Sequence, residues 1–140
     1  MTLENATTQQ ALQTQIRAVA ERFFTAIEQA DIETVRDCYA RDAVIWHNID
    51  DKEKSRDENI VALKAMVGRI HDRRYEQRRL HVFESGFVQQ HVLKGTRTFD
   101  GRAVALTACI VCEVLDGKIT RLDEYLDSPQ VAEFRKQAGA

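Results

Sequence analysis

Apolar residues recur every three or four positions through Leu12, Ile16, Val19, Phe23 and Ile27, which predicts one long amphipathic helix over roughly 8–30. Asp31 is placed to cap a short second helix ending near Tyr39. Ala43 to His47 reads as a short strand, and Asn48 to Arg56 as a charged loop. Ser55 followed by Glu58 has the spacing of a capping box and opens a third helix that runs to about Ile70. The period then changes. Four stretches of strand character, roughly 75–84, 87–99, 102–115 and 118–127, are separated by Ser85-Gly86, Asp100-Gly101 and Asp116-Gly117. An Asp-Gly pair between apolar runs signals a hairpin, because both central residues of a type I′ turn take positive φ. Ser128-Pro129 is a cap and first-turn proline, so a last helix is expected from Pro129 to about Gln137. Helices followed by a β-meander make the fold class α+β. A sheet of long antiparallel strands curls, and helices laid across its concave side can enclose a cavity.

Composition narrows the classes. The 140 residues suit one domain, with a core over about 10–130 and some seven flexible residues at the N-terminus. A net charge of −2 argues against a nucleic-acid binder or an anionic-membrane binder. No apolar run approaches the ~20 residues of a membrane helix. The polar stretch Met1–Gln10 lacks the features of a secretion signal, so the expected location is cytoplasmic. Cys109 and Cys112 have redox-motif spacing, but residues three apart on a strand face opposite ways and read as buried structural thiols. Ala103 to Leu115 is apolar on both faces. Too few helices exist to cover both, so a homodimer is expected.

A few ionisable side chains interrupt the apolar faces. On the last strand Thr120, Leu122, Glu124 and Leu126 share one face, and Arg121, Asp123, Tyr125 and Asp127 share the other. Glu124 is thus a carboxylate in apolar surroundings, suited to a general acid, or a salt-bridge partner of an arginine. In the opposite register, Asp123 and Tyr125 take its place in the pocket. Phe87, Gln89, His91, Leu93 and Arg97 share a face, where Gln89 and His91 are placed to orient a carbonyl or hydroxyl. His47, beside Trp46 and Asn48, is a candidate base or proton shuttle. Asn59 either reaches the pocket mouth or caps the third helix. Arg69, Arg73, Arg74, Arg78 and Arg79 surround Tyr75, but cations favour a helix C-terminus and charge protects an edge strand. A zinc or iron site at His47, His91 and a carboxylate is the weakest reading, since no ligand pair has a metal spacing.

The order of Ala30-Asp31-Ile32, Tyr39-Ala40-Arg41-Asp42-Ala43-Val44, Gly95-Thr96-Arg97, Gly117-Lys118-Ile119 and Glu124-Tyr125-Leu126-Asp127 resembles the nuclear transport factor 2-like superfamily, in its SnoaL-like and ketosteroid-isomerase-like branch. The resemblance implies a cone with a deep, mostly apolar pocket. The isomerases' aspartate base matches His47, but their oxyanion tyrosine matches Phe23 and their second donor falls near Cys109 or Ile110. The cyclases' and epoxide hydrolases' last-strand carboxylate matches Glu124. The cyclases' histidine is replaced by Arg97, and the epoxide hydrolases' arginine and aspartate fall near Gln89 and His91. The resemblance implies proton-transfer chemistry without a cofactor on an apolar or polyketide-like ligand. His47, Glu124 and His91 are the catalytic candidates, with Trp46, Asn48, Phe23, Gln89, Asn59 and Arg97 binding substrate. The alternative is a ligand-binding or dimeric scaffold protein of the same fold without turnover.

Overall fold

The computed structural model describes residues 2–138. Two helices, α1 (Leu3–Glu28) and α2 (Ile32–Cys38), lead into β1 (Tyr39–His47) and the short β2 (Lys52–Ser55). Helix α3 (Arg56–Arg69) follows, then β3 (Ile70–Phe83), β4 (Gly86–Arg97), β5 (Ala103–Leu115), β6 (Lys118–Leu126) and α4 (Ser128–Arg135). The six strands form one sheet in the order β2-β1-β6-β5-β4-β3. The expected α+β meander is therefore present, with two additions. β1 runs parallel to β6, so the sheet is mixed. The charged loop contains β2, which pairs antiparallel with β1 through Val44–Ser55 to His47–Lys52. Nothing in Lys-Glu-Lys-Ser alternates in polarity, so its backbone ladder left no pattern to read. Its lysines and glutamate suit an edge strand, where charge discourages further pairing.

Local chemistry sets the boundaries. Asp31 caps α2, accepting the Thr34 N–H at 3.2 Å and its hydroxyl at 2.6 Å. Ser55 and Glu58 make the reciprocal capping box of α3. The cap of α4 shifts by one: Asp127 occupies the N-cap without a side-chain bond, and Ser128 and Pro129 lie inside the helix. Helix α1 begins at Leu3, capped by Thr2, several residues before its apolar stripe. Its first half stays exposed, Leu12 included, and burial starts at Ile16. The second half packs Ile16, Ala20, Phe23, Phe24 and Ile27 into the core.

The turns divide by mechanism. Asp116 and Gly117 both have positive φ, 51° and 77°, as a type I′ pair requires. At the other Asp-Gly pair only Gly101 does (72°), and Asp100 instead accepts the Arg102 N–H at 3.2 Å. Gly86 is needed for closeness, since a Cβ there would collide with the Cys112 carbonyl of β5. In β3 the pairing slips between His71 and Arg74 and again between Glu76 and Arg79. Asp72 and Gln77 take positive φ at these bulges, which bend the strand and curl the sheet.

The concave face carries Leu93, Leu106, Ile110, Cys112, Leu122 and Ile45 towards the helices. One arginine ties helix to sheet. The Arg73 guanidinium donates to the carbonyls of Ile27 (2.9 Å) and Glu28 (3.0 Å) at the end of α1, and to Val67 (3.3 Å) and Ile70 (2.5 Å). The Glu28 carboxylate returns to the Tyr75 N–H at 2.8 Å. On the convex face Val88, Val92, Cys109 and Val111 are half-buried and Tyr125 is 48% exposed, so Cys109 is not the buried thiol expected. No helix among the described residues is long and apolar enough to cross a membrane.

Two glycine substitutions separate these causes. Gly86→Ala should destabilise by about 1–3 kcal/mol, because backbone must yield to the new Cβ. Gly68→Ala, in α3 with nothing within 4 Å of the added carbon, should stabilise by up to about 1 kcal/mol. Urea unfolding of both variants checks the opposite signs.

Candidate active site

Between α3, α4, the end of α1 and the concave face of the sheet lies a cavity of about 370 Å³, within the range of small-molecule sites. Its walls are largely apolar: Phe23, Leu63, Met66, Leu106, Ile110 and Phe134 all contribute. Ala62, Ala65, Arg135 and Gln137 are lining residues that are also exposed, so the opening lies between α3 and the C-terminal end of α4. Tyr39, Phe23 and Ile110 are buried and mark the inner end.

His47 and Glu124 are register partners on the parallel pair β1 and β6. Strand alternation sends both side chains to the concave face, where His47 Nε2 and Glu124 Oε1 meet at 2.9 Å. Both line the cavity, with side-chain exposures of 15% and 19%. His47 Nδ1 is enclosed and has no hydrogen-bond partner among the described residues. That favours the tautomer whose proton sits on Nε2 and is donated to the carboxylate, because a protonated Nδ1 would be a buried, unsatisfied donor. The register also decides between the two faces of β6. Asp123 and Tyr125 face outwards, Asp123 bound to Arg121 at 3.0 Å and Tyr125 edge-on to Trp46 at 5.2 Å.

Two phenols that the sequence reading passed over stand in the same wall. Tyr39 packs edge-on to Phe23, with centroids 5.5 Å apart, and its hydroxyl donates to Asn59 Oδ1 at 3.0 Å. Tyr75 lines the cavity from β3, and its hydroxyl makes no bond among the described residues. Burial raises both phenol pKa values well above 10, so both remain O–H donors near neutral pH. Tyr39 was hidden at a helix–strand junction, and Tyr75 lies between two bulges that break the alternation of β3. Asn59 does not cap α3, because Ser55 does; it reaches the cavity instead.

Gln89 and His91 are on the cavity side of β4 but do not line the cavity. Glu21 binds Arg78 at 3.0 Å, and Arg78 Nε donates to Gln89 Oε1 at 3.0 Å. With its oxygen so engaged, Gln89 offers its amide N–H to His91 Nδ1 at 2.9 Å. The imidazole is wedged edge-on between Phe24 and Tyr75, at 5.6 and 4.6 Å. Its Nε2 is buried without a partner among the described residues. Burial lowers the His91 pKa from 6.5 to about 4, partly opposed by the charge of Glu124.

Besides Gln89, three expected binding residues lie outside the cavity. Trp46, next to His47, points to the convex face and donates to Asp51 at 2.8 Å. Asn48 extends the β1–β6 pairing, bonding to the Leu126 backbone at 2.8 and 3.2 Å. Arg97 is buried in a structural ion cluster, held by Asp100 at 2.6 Å and Glu133 at 3.1 Å. The remaining arginines are spread out: Arg74 binds Glu76, Arg78 binds Glu21, and Arg69 lies at the cavity. His47 and His91 have separate partners, and among the described residues no three His, Cys, Asp or Glu side chains are grouped to hold a metal.

With this architecture in view, comparison places the chain. The SnoaL-like domain family matches residues 20–122, and the chain belongs to that family. Its fold is the one shared across the nuclear transport factor 2-like superfamily. A structure described as an M. tuberculosis LEH-like epoxide hydrolase superposes with a TM-score of 0.70 at 21% identity, covering 87% of this chain and 90% of the other. IdmH of Streptomyces antibioticus, proposed to be a polyketide cyclase, gives 0.75 at 17%, covering 84% and 96%. An NTF2-like protein of Burkholderia xenovorans gives 0.72 at 13%, covering 89% and 98%. At these identities the likeness establishes the fold. No curated protein matches the sequence.

The buried histidine makes a pH prediction. The unfolded chain protonates His91 near 6.5 and the native chain only near 4. The unfolded state therefore holds more protons between those values. Stability is intact above pH 6.5 and falls as the pH drops towards 4, by on the order of 3 kcal/mol from this group. Urea unfolding at about pH 7 and about pH 4.5 should show a smaller drop in His91→Gln than in the parent chain; equal drops would remove His91 as the cause.

Proposed function

We propose that the chain is a cofactor-independent proton-transfer enzyme of the isomerase or cyclase type, acting on an apolar, oxygen-bearing small molecule. The observation that carries this reading is the 2.9 Å His47–Glu124 pair in the wall of an apolar cavity. Relatives proposed to be polyketide cyclases agree with the class.

Glu124 has one oxygen bound to His47, while Oε2 has no partner among the described residues. With His47 Nδ1 enclosed, the carboxylate is the group that touches substrate, and the base role passes from His47 to Glu124. His47 holds the carboxylate in place by its Nε2–H. Glu124 Oε2 takes a proton from a carbon beside a carbonyl: the C–H bond breaks, an O–H bond forms, and the electron pair moves to the carbonyl oxygen as an enolate. Tyr75 supplies an O–H to that oxygen, and the Asn59 amide lines the same cavity. The proton then returns to another carbon, which isomerises the substrate, or the enolate carbon attacks a second carbonyl, which closes a ring.

Deuterium uptake from D2O by apolar ketones and β-dicarbonyl compounds, followed by NMR, tests the reading without knowledge of the natural substrate. Glu124→Gln should slow exchange by about 10²–10⁴-fold, the usual contribution of a general base. Tyr75→Phe should slow it by about 10²–10³-fold. His47→Gln, still able to donate to the carboxylate, should retain more activity than Glu124→Gln. A folded parent chain that binds these compounds without exchanging them would instead be a binding protein of the same fold.

A further inference from the structure

The opening of the cavity has a charge of its own. Arg69, in the last turn of α3, and Arg135, in the last turn of α4, both line it. Among the described residues neither guanidinium has a carboxylate within 4 Å, whereas Arg22, Arg74, Arg78, Arg97 and Arg121 each have one. Arg69 Nε is buried with no hydrogen-bond partner among the described residues. The two cations are close enough for Arg135, together with burial, to lower the pKa of Arg69. Two guanidiniums without carboxylate partners among the described residues thus line one apolar opening, a like-charge arrangement that costs energy until an anion joins them.

The inner end has the opposite polarity. Glu124 is the carboxylate of the cavity lining, and Lys54, the other cation there, is neutralised by Asp50 at 2.9 Å. An anionic group is therefore repelled from the inner end and attracted to the opening.

We propose that the cavity takes an amphipathic substrate whose apolar body lies inside and whose anionic oxygen head, a carboxylate or phosphate, is held at the opening by Arg69 and Arg135. This rests on the cavity being the substrate site and adds the substrate's class and orientation. Guanidinium forks bind both heads through paired N–H donors. Held head outwards, the chain of the substrate presents its buried oxygen-bearing segment to Tyr75 and Glu124.

Calorimetric titration with octanoate, octyl phosphate and octan-1-ol, each at low salt and in about 0.5 M NaCl, tests the proposal, with acetate and inorganic phosphate as head-only controls. At low salt at least one anionic amphiphile should bind about tenfold more tightly than the alcohol. Whichever anion binds better identifies the head. The preference should shrink to about threefold or less in high salt and in Arg135→Gln, whose exposed position leaves folding intact, and again in Arg69→Gln. Equal binding of alcohol and anions, a preference that survives in the double variant, or no binding by any of the three overturns the proposal. Glu124→Gln keeps head selectivity while losing exchange, which separates the two readings. Selectivity without exchange defeats only the enzyme, and exchange without selectivity defeats only the anion site.

Discussion

The arrangement turns on one non-local pairing, the parallel ladder between β1 and β6. β1 is laid down early and waits for the whole meander to be completed before its partner exists. Parallel strands need a long crossover, and here α3 with β3, β4 and β5 provides it. The register of that ladder sets His47 opposite Glu124. A slip of β6 by one residue would turn Glu124 to the convex face, bring Asp123 inwards and leave His47 without its partner. The site therefore exists only when the fold is closed, and its geometry is fixed by backbone bonds rather than by loops.

Around this pair the polar groups of the interior are kept uncharged. Tyr39 and Tyr75 are phenols that burial holds in the O–H form, and His91 is an imidazole that burial holds neutral. They bring dipoles to an apolar space without adding net charge. A single carboxylate then dominates the field inside, and the chain from Glu21 through Arg78 and Gln89 fixes which nitrogen of His91 carries its proton. Such an environment stabilises charge that appears in a reaction better than water does, because its dipoles are already oriented.

Much of this was legible in the sequence, and the exceptions have physical causes. Helix caps at Asp31 and Ser55 and the Asp116-Gly117 turn are local, so they read directly. Glu124 was found because period-two alternation left one carboxylate on an apolar face. The parallel partner of β1 was not legible, since nothing local records a pairing that spans most of the chain. Trp46 and Asn48 were drawn into the pocket by their nearness to His47, although alternation turns Trp46 away and Asn48 serves the backbone of Leu126. Arg97 shared a face with His91, but its strand ends there, and acidic partners from the β4–β5 turn and α4 engage it. Tyr75 was hidden because bulges at Asp72 and Gln77 reset the alternation on either side of it.

The Arg73 clamp carries a mechanical consequence. By gripping the last carbonyls of α1 together with those of Val67 and Ile70, it couples a helix, the end of another and the start of an edge strand into one stiff body. Displacement of any one of them is transmitted to the others. Helix α4 has a lighter attachment: Phe134 is its single buried side chain, and Arg97 and Thr107 hold it by a few polar bonds. The cavity wall is thus clamped through Arg73 on the side of α1 and α3 and only lightly attached on the side of α4.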